Sequence, residues 1–415
     1  MKTLLIIGHT FPEPSTTAAG IRMMQLIDLF LEEGYSLTFA STAIPSERSA
    51  NLDAFGIRTV GIHLNDPSFD TFIRQLNPSM VLFDRYLTEE QFGWRVAEGC
   101  PHSLRILDTE DLHFLRKARE IAFNNKLPVQ QADLYTDTAK RELASMLRCD
   151  LSLIISEAEM ELLQNTFSIP ATLLHYLPLF VEVASEAIVH TLPDFHSRSG
   201  FMTVGNLLHA PNVASVRMLK TSLWPEIRKR LPAATLYVYG AYASQEISSF
   251  HNEKEGFLIC GWIPSVAEVM RQARLCLAPL PFGAGLKGKL LEAMQNGLPS
   301  VTTRIGAEGL CGALPFAGRI TEAADAFVDA SVALYTEKVQ WEGAQSNGFQ
   351  LLQARFQKQH FSAYFKETLV SIQNGLTQHR KTHFIGQILQ HHSLQSTKYL
   401  SKWIEEKKIE TRIQK

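Results

Sequence analysis

Short, continuous apolar runs recur along the first half of the chain, with helix-like segments between them. The runs are TLLIIG (3–8), SLTFAS (36–41), TVGI (59–62), MVLF (80–83), LRIL (104–107) and LSLIIS (151–156). Strands of a parallel sheet have this pattern because helices bury both of its faces. The segment 21–34 has apolar residues at helical spacing and ends at Gly34, a helix stop signal. This alternation predicts right-handed βαβ units in a doubly wound sheet.

The alternation stops after Pro178 and begins again near residue 201. The stretch 183–200 lacks sustained periodicity, which is typical of an interdomain connection. The later runs are FMTVG (201–205), TLYVYG (235–240), GFLICGW (256–262), LCLAPL (275–280) and PSVTT (299–303). A chain of 415 residues also exceeds what one hydrophobic core usually supports. We therefore predict an α/β fold with an N-terminal domain over 1–185, a C-terminal domain over 186–377 and a helical tail over 378–415.

Composition excludes several classes of protein. The formal net charge of −2 disfavours binding to nucleic acid through bulk electrostatics. The five cysteines are scattered and form no C-x-x-C pair, a pattern that favours free thiols in a reducing cytosol over a disulfide framework or a zinc site. The apolar run from Leu4 to Ile7 is too short for an export signal or a membrane span, so it predicts a first buried strand. We expect a cytoplasmic protein.

The segment PLPFGAGLKGKLLEAMQNGLPSVTTRIGAEGL (279–310) carries the strongest chemical signal. A strand ends near Pro279, three glycines follow, and a helix begins around 287–289; the glycines are Gly283, Gly285 and Gly288. Glycines let the backbone approach a ligand, and the first amides of a helix attract anions. The plainer alternative is that the glycines only form a tight turn, because a glycine loop alone is a weak signal.

Charged residues at the same place favour an anion site. Lys287 and Lys289 add positive charge at the predicted start of the helix. Glu292 follows Lys289 by three residues and lies on the same helix face, where a carboxylate suits ribose hydroxyls. The alternative is that these charges are merely solvated.

This segment resembles the donor-site signature of the GT-B glycosyltransferases of family 4, the glycosyltransferase group 1 type. Bacterial members carry a string of the form GAG-x-KGK-x-x-EAM, followed by G-x-P-x-V-T-T and IGAEG. The resemblance extends through TVGNLLHAPNVASVRMLK (203–220), LWPEIRKRLPAATLYVYGAY (223–242) and GFLICGWIPSVAEVMRQARLCLAPL (256–280), so it covers most of 201–310.

The resemblance implies two facing, doubly wound Rossmann-like domains with the active site in the interdomain cleft. It implies transfer of a sugar from a nucleotide-diphosphate sugar to a hydroxyl, with retention of configuration, and it implies no metal and no further cofactor. The C-terminal domain would bind the donor. Gly205 and Asn206 would approach the diphosphate, together with the loop glycines Gly283 and Gly285. Trp262 and Ile263 would lie beside the base. For Trp262, a position in the hydrophobic core is an equal alternative. Lys287 and Lys289 would neutralise the diphosphate, and Glu292 would hold the ribose.

The N-terminal domain contributes fewer residues to the resemblance. Ala19 and Gly20 resemble a small-residue pair whose amides approach donor phosphates. Arg22 is either a phosphate or acceptor contact or a solvated helix residue. In the segment LIISEAEMELL (153–163), which resembles the strand-to-helix S-E-x-E of the family, Ser156 is predicted to cap the helix, and Glu157 with Glu159 to suit its positive end.

The segment RILDTEDLHFLRKARE (105–120) concentrates charge after a predicted strand. The resemblance to the family implies that Asp111 occupies the position of a catalytic Asp and that Glu110 replaces the His that precedes it in many relatives. His113 is a further candidate because imidazole titrates near neutrality. The alternative is that Asp108 or Thr109 caps a helix whose first turn is solvated.

One departure from the family pattern affects the expected activity. The family carries two glutamates in an E-x7-E arrangement; Glu292 matches the second, but Ala284 occupies the first position. Two alternatives to transfer therefore stay open. One is a non-transferring nucleotide-sugar enzyme such as an epimerase, and the other is a nucleotide-sugar-binding protein that has lost catalysis.

The expected partners are a nucleotide-sugar donor and a saccharide or lipid-linked acceptor. The tail 378–415 holds eight Lys or Arg residues against three Glu. Such a tail can contact an acidic membrane surface, which would place the protein peripherally at the inner face of the membrane. The alternative is that the tail crosses back onto the N-terminal domain.

Overall fold

The computed structural model describes residues 2–182, 189, 191–391 and 403, and these residues form two parallel sheets. The first sheet has the strand order β3-β2-β1-β4-β5-β6-β7. Its strands are β1 Thr3–Gly8, β2 Ser36–Ser41, β3 Arg58–Gly61, β4 Met80–Asp84, β5 Leu104–Asp108, β6 Leu151–Ile154 and β7 Leu174–Tyr176. All six predicted runs are strands, and β7 is an additional edge strand.

The second sheet has the order β10-β9-β8-β11-β12-β13. Its strands are β8 Phe201–Val204, β9 Leu236–Tyr239, β10 Phe257–Gly261, β11 Leu275–Ala278, β12 Ser300–Thr302 and β13 Gly318–Ile320. The five predicted runs are the first five of these strands. Both orders place the first two strand connections on one side and the later ones on the other, as in doubly wound folds.

Helices flank both sheets. In the first domain they are α1 Ala18–Glu32, α2 Ser68–Leu76, α3 Arg85–Gly99, α4 His113–Asn124, α5 Asp137–Arg148 and α6 Glu157–Asn165. In the second they are α7 Ala210–Met218, α8 Trp224–Arg230, α9 Gln245–Ser249, α10 Val266–Gln272, α11 Gly288–Gln295, α12 Arg304–Ala307, α13 Ala324–Thr336 and α14 Lys338–Arg355. The last three are α15 Gln359–Asn374, α16 Leu376–Thr382 and α17 Phe384–Gln390.

Strand β1 shows why its sequence is continuously apolar. Leu4 and Ile6 pack into one buried cluster, whereas Leu5 and Ile7 pack into another. Successive side chains of a strand point to opposite faces, so a sheet that is covered on both faces needs apolar residues at every position.

The chain returns to the first domain after α14. Phe365, Leu369 and Ile372 of α15 lie in the same buried cluster as Ile6. Farther along, Arg380 contacts the Asp150 carboxylate at 2.7 and 2.8 Å. The return therefore begins upstream of residue 378.

Some predicted features fall outside the described residues. These are most of the tail beyond residue 391 and residues 183–188 and 190 of the expected interdomain connection. Within the described part of the chain, no helix is long and apolar enough to cross a bilayer.

Candidate active site in the interdomain cleft

A cleft of about 710 Å³ lies between the two domains. Its walls are loops that follow the carboxyl ends of strands in both sheets, where ligands bind in doubly wound folds. The residues predicted for the donor site line it, apart from Gly20, and the acidic segment after β5 lies on the opposite wall. The fold therefore brings together segments that are far apart in sequence.

The donor loop, residues 283–289, is pressed against the first domain. Gly285 has a φ of 63°, and an added Cβ would lie 2.8 Å from Cβ of Asp111. A Cβ on Gly288 would lie 3.2 Å from that of Ala18. The glycines are thus required both by backbone conformation and by close contact between the domains.

Lys287 stabilises the conformation of the donor loop. Its Nζ donates to the carbonyl oxygens of Ala284 at 3.1 Å and Gly285 at 2.6 Å. Burial lowers the pKa of Lys287, although the nearby Glu308 and Glu159 carboxylates raise it. Lys287 is also the N-cap residue of α11, and because lysine has no acceptor atom, it leaves the first amides of the helix without a side-chain cap from that position.

Lys289 lies in the donor wall of the cleft beside the end of β8. Its Nζ donates to Oδ1 of Asn212 at 2.7 Å. An added Cβ on Gly205 would lie 2.9 Å from this Nζ, so Gly205 makes room for the ammonium group. Burial lowers the pKa of Lys289 to about 8. An anion that binds here would therefore stabilise the protonated form.

Asn206 and Glu292 complete the donor wall. The Asn206 side chain accepts the Leu208 amide at 2.8 Å, and the Asn206 carbonyl accepts Nδ2 of Asn212 at 2.9 Å. Asn206 therefore shapes its own loop. Glu292 is half-buried, and burial raises its pKa. Asn212 was not singled out from the sequence, although it lies within the segment 203–220 that carries the resemblance.

The structure corrects the expectation for Gly20. This residue is buried, its amide donates to Oγ1 of Thr17 at 2.9 Å, and an added Cβ would lie 2.4 Å from the Glu13 carbonyl carbon. Gly20 is therefore needed for packing of the preceding loop and does not line the cleft. Ala18 and Ala19 line it instead.

Arg22 is neither a ligand contact nor a solvated residue. It is buried and pairs with Asp108. Asp108 therefore does not cap a helix, and Thr109 bonds the Leu153 carbonyl through its hydroxyl. The Glu142 carboxylate instead caps the first turn of α4, because it accepts hydrogen bonds from the backbone amides of residues 113 and 114. The alternative in which Asp108 or Thr109 caps a helix is wrong.

The acidic segment faces the donor loop. Burial alone would raise the pKa of Asp111, but the positive charges of Arg116 and His113 outweigh it, so the pKa is lowered. Nη1 of Arg116 lies 3.2 Å from Oδ2 of Asp111. Glu110 is in the left-handed region at a φ of 62°. Burial, followed by the charge of Asp108, raises the pKa of Glu110 well above its ordinary value. The pKa values of these two adjacent carboxyl groups are therefore shifted in opposite directions.

His113 and Arg85 lie beside this pair. Nδ1 of His113 is 3.6 Å from Oδ1 of Asp111. Arg85 has a φ of 70° and follows β4, the strand adjacent to β5. The sequence analysis missed Arg85, although its position after the run MVLF (80–83) is the same kind of signal that identified the acidic segment.

Polar contacts cross the cleft between the domains. Arg119 of α4 forms a bidentate ion pair with Glu308 at 2.7 and 2.8 Å and also donates to the Gly283 carbonyl at 2.8 Å. Arg116 and His209 lie 3.0 Å apart through Nη1 and Nε2. These contacts hold the donor loop close to the acidic segment.

The rim of the cleft is formed by aromatic residues of the second domain. The Arg48 guanidinium lies 5.4 Å from the ring centre of Trp262 and 5.0 Å from that of Tyr242. Nε1 of Trp262 is 3.4 Å from the Ser15 carbonyl. Trp262 is exposed, so it is not a core residue, and it lines the cleft together with Ile263.

Comparisons with known proteins agree with this architecture. The chain is similar to solved structures of a sucrose-phosphate synthase from Thermosynechococcus elongatus (13% identity, TM-score 0.68, 90% of this chain and 99% of the other), of Anabaena HepE in complex with UDP and glucose (14%, 0.63, 89% and 99%) and of WaaG, a glycosyltransferase involved in lipopolysaccharide biosynthesis (12%, 0.63, 88% and 99%). A search of curated protein sequences finds no significant match. Residues 198–337 match the family model described as glycosyl transferases group 1. The fold is GT-B, and the match over the second domain supports the group 1 glycosyl transferase family.

Proposed function

We propose that the protein is a retaining glycosyltransferase of the family 4 type that transfers a sugar from a nucleotide-diphosphate sugar to a hydroxyl acceptor. The observation that carries this proposal is the meeting of Lys289, Glu292 and the start of α11 in one cleft. This set offers a cation, a hydrogen-bond acceptor for ribose and helix amides within reach of one ligand. A nucleoside diphosphate has groups that match all three.

The donor wall would act on the leaving group. As the glycosidic bond breaks, negative charge grows on the diphosphate, and Lys289 with the α11 amides would stabilise it. The charge of Lys287, whose Nζ is bonded to the carbonyl oxygens of the donor loop, would add to this stabilisation of the diphosphate. Closure of the cleft would exclude water that could hydrolyse the donor. The acceptor oxygen would form its bond to the anomeric carbon on the face from which the diphosphate departs, which retains the configuration without a covalent intermediate.

The acidic segment would act on the acceptor side. Asp111 is ionised and contacts the donor loop, so it suits charge stabilisation of an oxocarbenium-like transition state. His113 is a candidate to accept the proton of the acceptor hydroxyl, and Glu110, whose raised pKa favours the protonated form, is a candidate to donate a hydrogen bond there. Arg85, which directly follows β4 and lines the cleft, is a candidate to orient the acceptor.

The relatives suggest which ligands to test first. HepE was solved with UDP and glucose, and WaaG is named for lipopolysaccharide biosynthesis. We therefore propose UDP as the first nucleotide and saccharide or lipid-linked molecules as acceptors, with polysaccharide or glycolipid synthesis in the cytoplasm as the setting. Contact with the membrane through the basic tail is part of the same proposal.

Ala284 favours a second candidate function, a nucleotide-sugar-binding protein that has lost catalysis. Ala284 is buried and packs with apolar residues of the first domain. No carboxylate occupies that position, so the donor sugar would lack this contact. Turnover separates the two candidates, since the binding protein would bind the nucleotide without transferring the sugar.

Thermal unfolding with UDP, GDP and ADP tests the donor site, because a ligand that binds only the folded state raises the melting temperature. We expect one nucleotide to raise it, and Lys289→Ala and Glu292→Ala to abolish the shift. Lys229→Ala, which removes an exposed lysine far from the cleft, is the matched control and should keep it. Absence of a shift with all three nucleotides would refute the proposal. Transfer from the corresponding sugar conjugate then distinguishes the enzyme from the binding protein.

A further inference from the structure

Glu159 of α6 joins the two walls of the cleft. Its side chain is fully buried, and its Oε1 accepts the Leu112 amide at 3.0 Å and the Gly285 amide at 2.8 Å. Leu112 directly follows Asp111 in the first domain, whereas Gly285 belongs to the donor loop of the second. One carboxyl oxygen therefore bonds to the backbone of both domains. The sequence analysis had placed Glu159 at the positive end of α6, where it was expected to stabilise the helix.

The contact occurs where the two walls are closest. Gly285 has a left-handed backbone and no room for a side chain, because Asp111 lies directly against it. The Gly285 amide is held by Glu159 in that conformation. A loss of this hydrogen bond would therefore free the donor loop to move relative to Asp111.

We propose that Glu159 is a positioning residue that fixes the donor loop against the Asp111 segment and so stabilises the closed arrangement of the two domains. Glu159 does not line the cleft and acts through the two backbone segments that it bonds. Its effect on ligand affinity rests on the proposed function, whereas its effect on the loop does not.

The charge state of Glu159 fits this role. Within the described part of the chain, its second oxygen is buried without a hydrogen-bond partner. Burial, with a smaller contribution from the charge of Asp111, raises the pKa of Glu159 to about 8. The hydrogen bonds from the two amides and the charge of Lys287 lower this pKa, but they do not outweigh burial. At neutral pH the buried group is a neutral acid, so glutamine has the same shape, the same charge and the same acceptor oxygen.

The raised pKa also sets the direction of the pH dependence. A carboxyl group exposed by opening of the domains would return toward its ordinary pKa of 4.5. Between that value and about 8, the closed form then binds more protons than the open form. A rise in pH through this window should favour opening, and the effect should be complete above the upper value.

Hydrogen exchange of backbone amides tests the contact directly. In Glu159→Ala, we expect exchange to rise about tenfold in peptides covering 109–114 and 283–289, the size expected for loss of a buried hydrogen bond. At pH 6, where Glu159 is protonated, Glu159→Gln should exchange like the wild type. The matched control is Glu142→Ala, since Glu142 is also a buried carboxylate that accepts two amides, but both lie within the first domain. It should raise exchange at 113–114 and leave 283–289 protected.

Wild-type exchange at 283–289 in Glu159→Ala would overturn the proposal. If that variant does not fold, the proposal is tested by comparing hydrogen exchange of the wild type and of Glu159→Gln between pH 6 and pH 8. Protection at 283–289 should fall with rising pH in the wild type after correction for intrinsic exchange, and stay level in the glutamine variant; equal slopes would overturn the proposal. A parallel UDP titration should show weaker binding to Glu159→Ala. If the wild type binds none of the three nucleotides, the proposed function fails, while the exchange result still decides the role of Glu159.

Discussion

Arg22 and Asp108 form a buried ion pair close to the cleft-lining residues Ile21 and Glu110, with Nη2 of Arg22 2.7 Å from Oδ1 of Asp108. Their side chains are 2% and 0% exposed. Nη1 of Arg22 also donates to the Leu177 carbonyl at 2.6 Å. The pair thus connects α1, the end of β5 and the segment after β7, the elements that support the first-domain wall of the cleft.

Replacement of Arg22 should destabilise the protein strongly. Arg22→Met leaves the Asp108 carboxylate buried without its partner, so we expect the free energy of unfolding to fall by about 3–5 kcal/mol. Urea denaturation followed by circular dichroism measures the change. Lys140→Met is the control, because its ion pair with Asp137 is exposed and should contribute less than about 1 kcal/mol. A loss for Arg22→Met no larger than that of the control would contradict this account.

The strands were predictable because parallel strands buried on both faces are apolar at every position. All eleven predicted runs contain a strand. The two missed strands, β7 and β13, have three residues each and lie at sheet edges. Strand β12 is equally short but was predicted, so length alone is not the reason. The sequences of β7 (LHY) and β13 (GRI) each have a polar central residue, which interrupts the apolar pattern.

Site residues were predictable where one local segment carries the chemistry. Lys289 and Glu292 lie on one turn of α11, so their proximity follows from helical spacing. Arg22 was misjudged because its partner, Asp108, is 86 residues away. Glu159 was correctly placed in the first turn of α6, but its hydrogen bond to the Gly285 amide was missed for the same reason, since Gly285 is 126 residues away. Pairings of this kind depend on packing between elements and domains, which sequence periodicity does not encode.

Gly205 should be required for the position of the Lys289 ammonium group. An added methyl group would lie 2.6 Å from Nδ2 of Asn212 and 2.9 Å from Nζ of Lys289. Gly205→Ala should therefore displace the lysine and weaken nucleotide binding about tenfold, the cost of one lost charge-assisted hydrogen bond. Isothermal titration calorimetry with the nucleotide that binds best measures the change.

The control for this variant is Gly343→Ala, on the exposed side of α14. An added Cβ there meets nothing within 4 Å, and alanine favours a helix over glycine by about 1 kcal/mol. This variant should bind the nucleotide like the wild type and unfold at a slightly higher temperature. Equal affinity in the Gly205 and Gly343 variants would show that the Lys289 ammonium group does not depend on space at Gly205.

Nucleotide binding should weaken in alkaline solution because Lys289 loses its proton. Burial lowers the pKa of Lys289 to about 8 in the free protein, and the diphosphate binds the protonated form. Below that pH the group is charged and affinity should change little through this lysine; above it, the dissociation constant should rise by up to about tenfold per pH unit. This window lies above the one predicted for Glu159, so the two effects are separable.

Lys289→Arg tests the assignment, since arginine stays protonated throughout the range. Its absolute affinity should differ from that of the wild type because the longer side chain repacks against Asn212, but its affinity should lose most of the slope between pH 8 and pH 9.5. Titration calorimetry in buffers with different ionisation enthalpies adds a direct readout, because the wild type should take up a proton on binding near pH 8.5 and the arginine variant should take up less. A slope and a proton uptake that are unchanged in the arginine variant would assign the titration to another group, and the charge of Lys289 would then not control binding of the diphosphate.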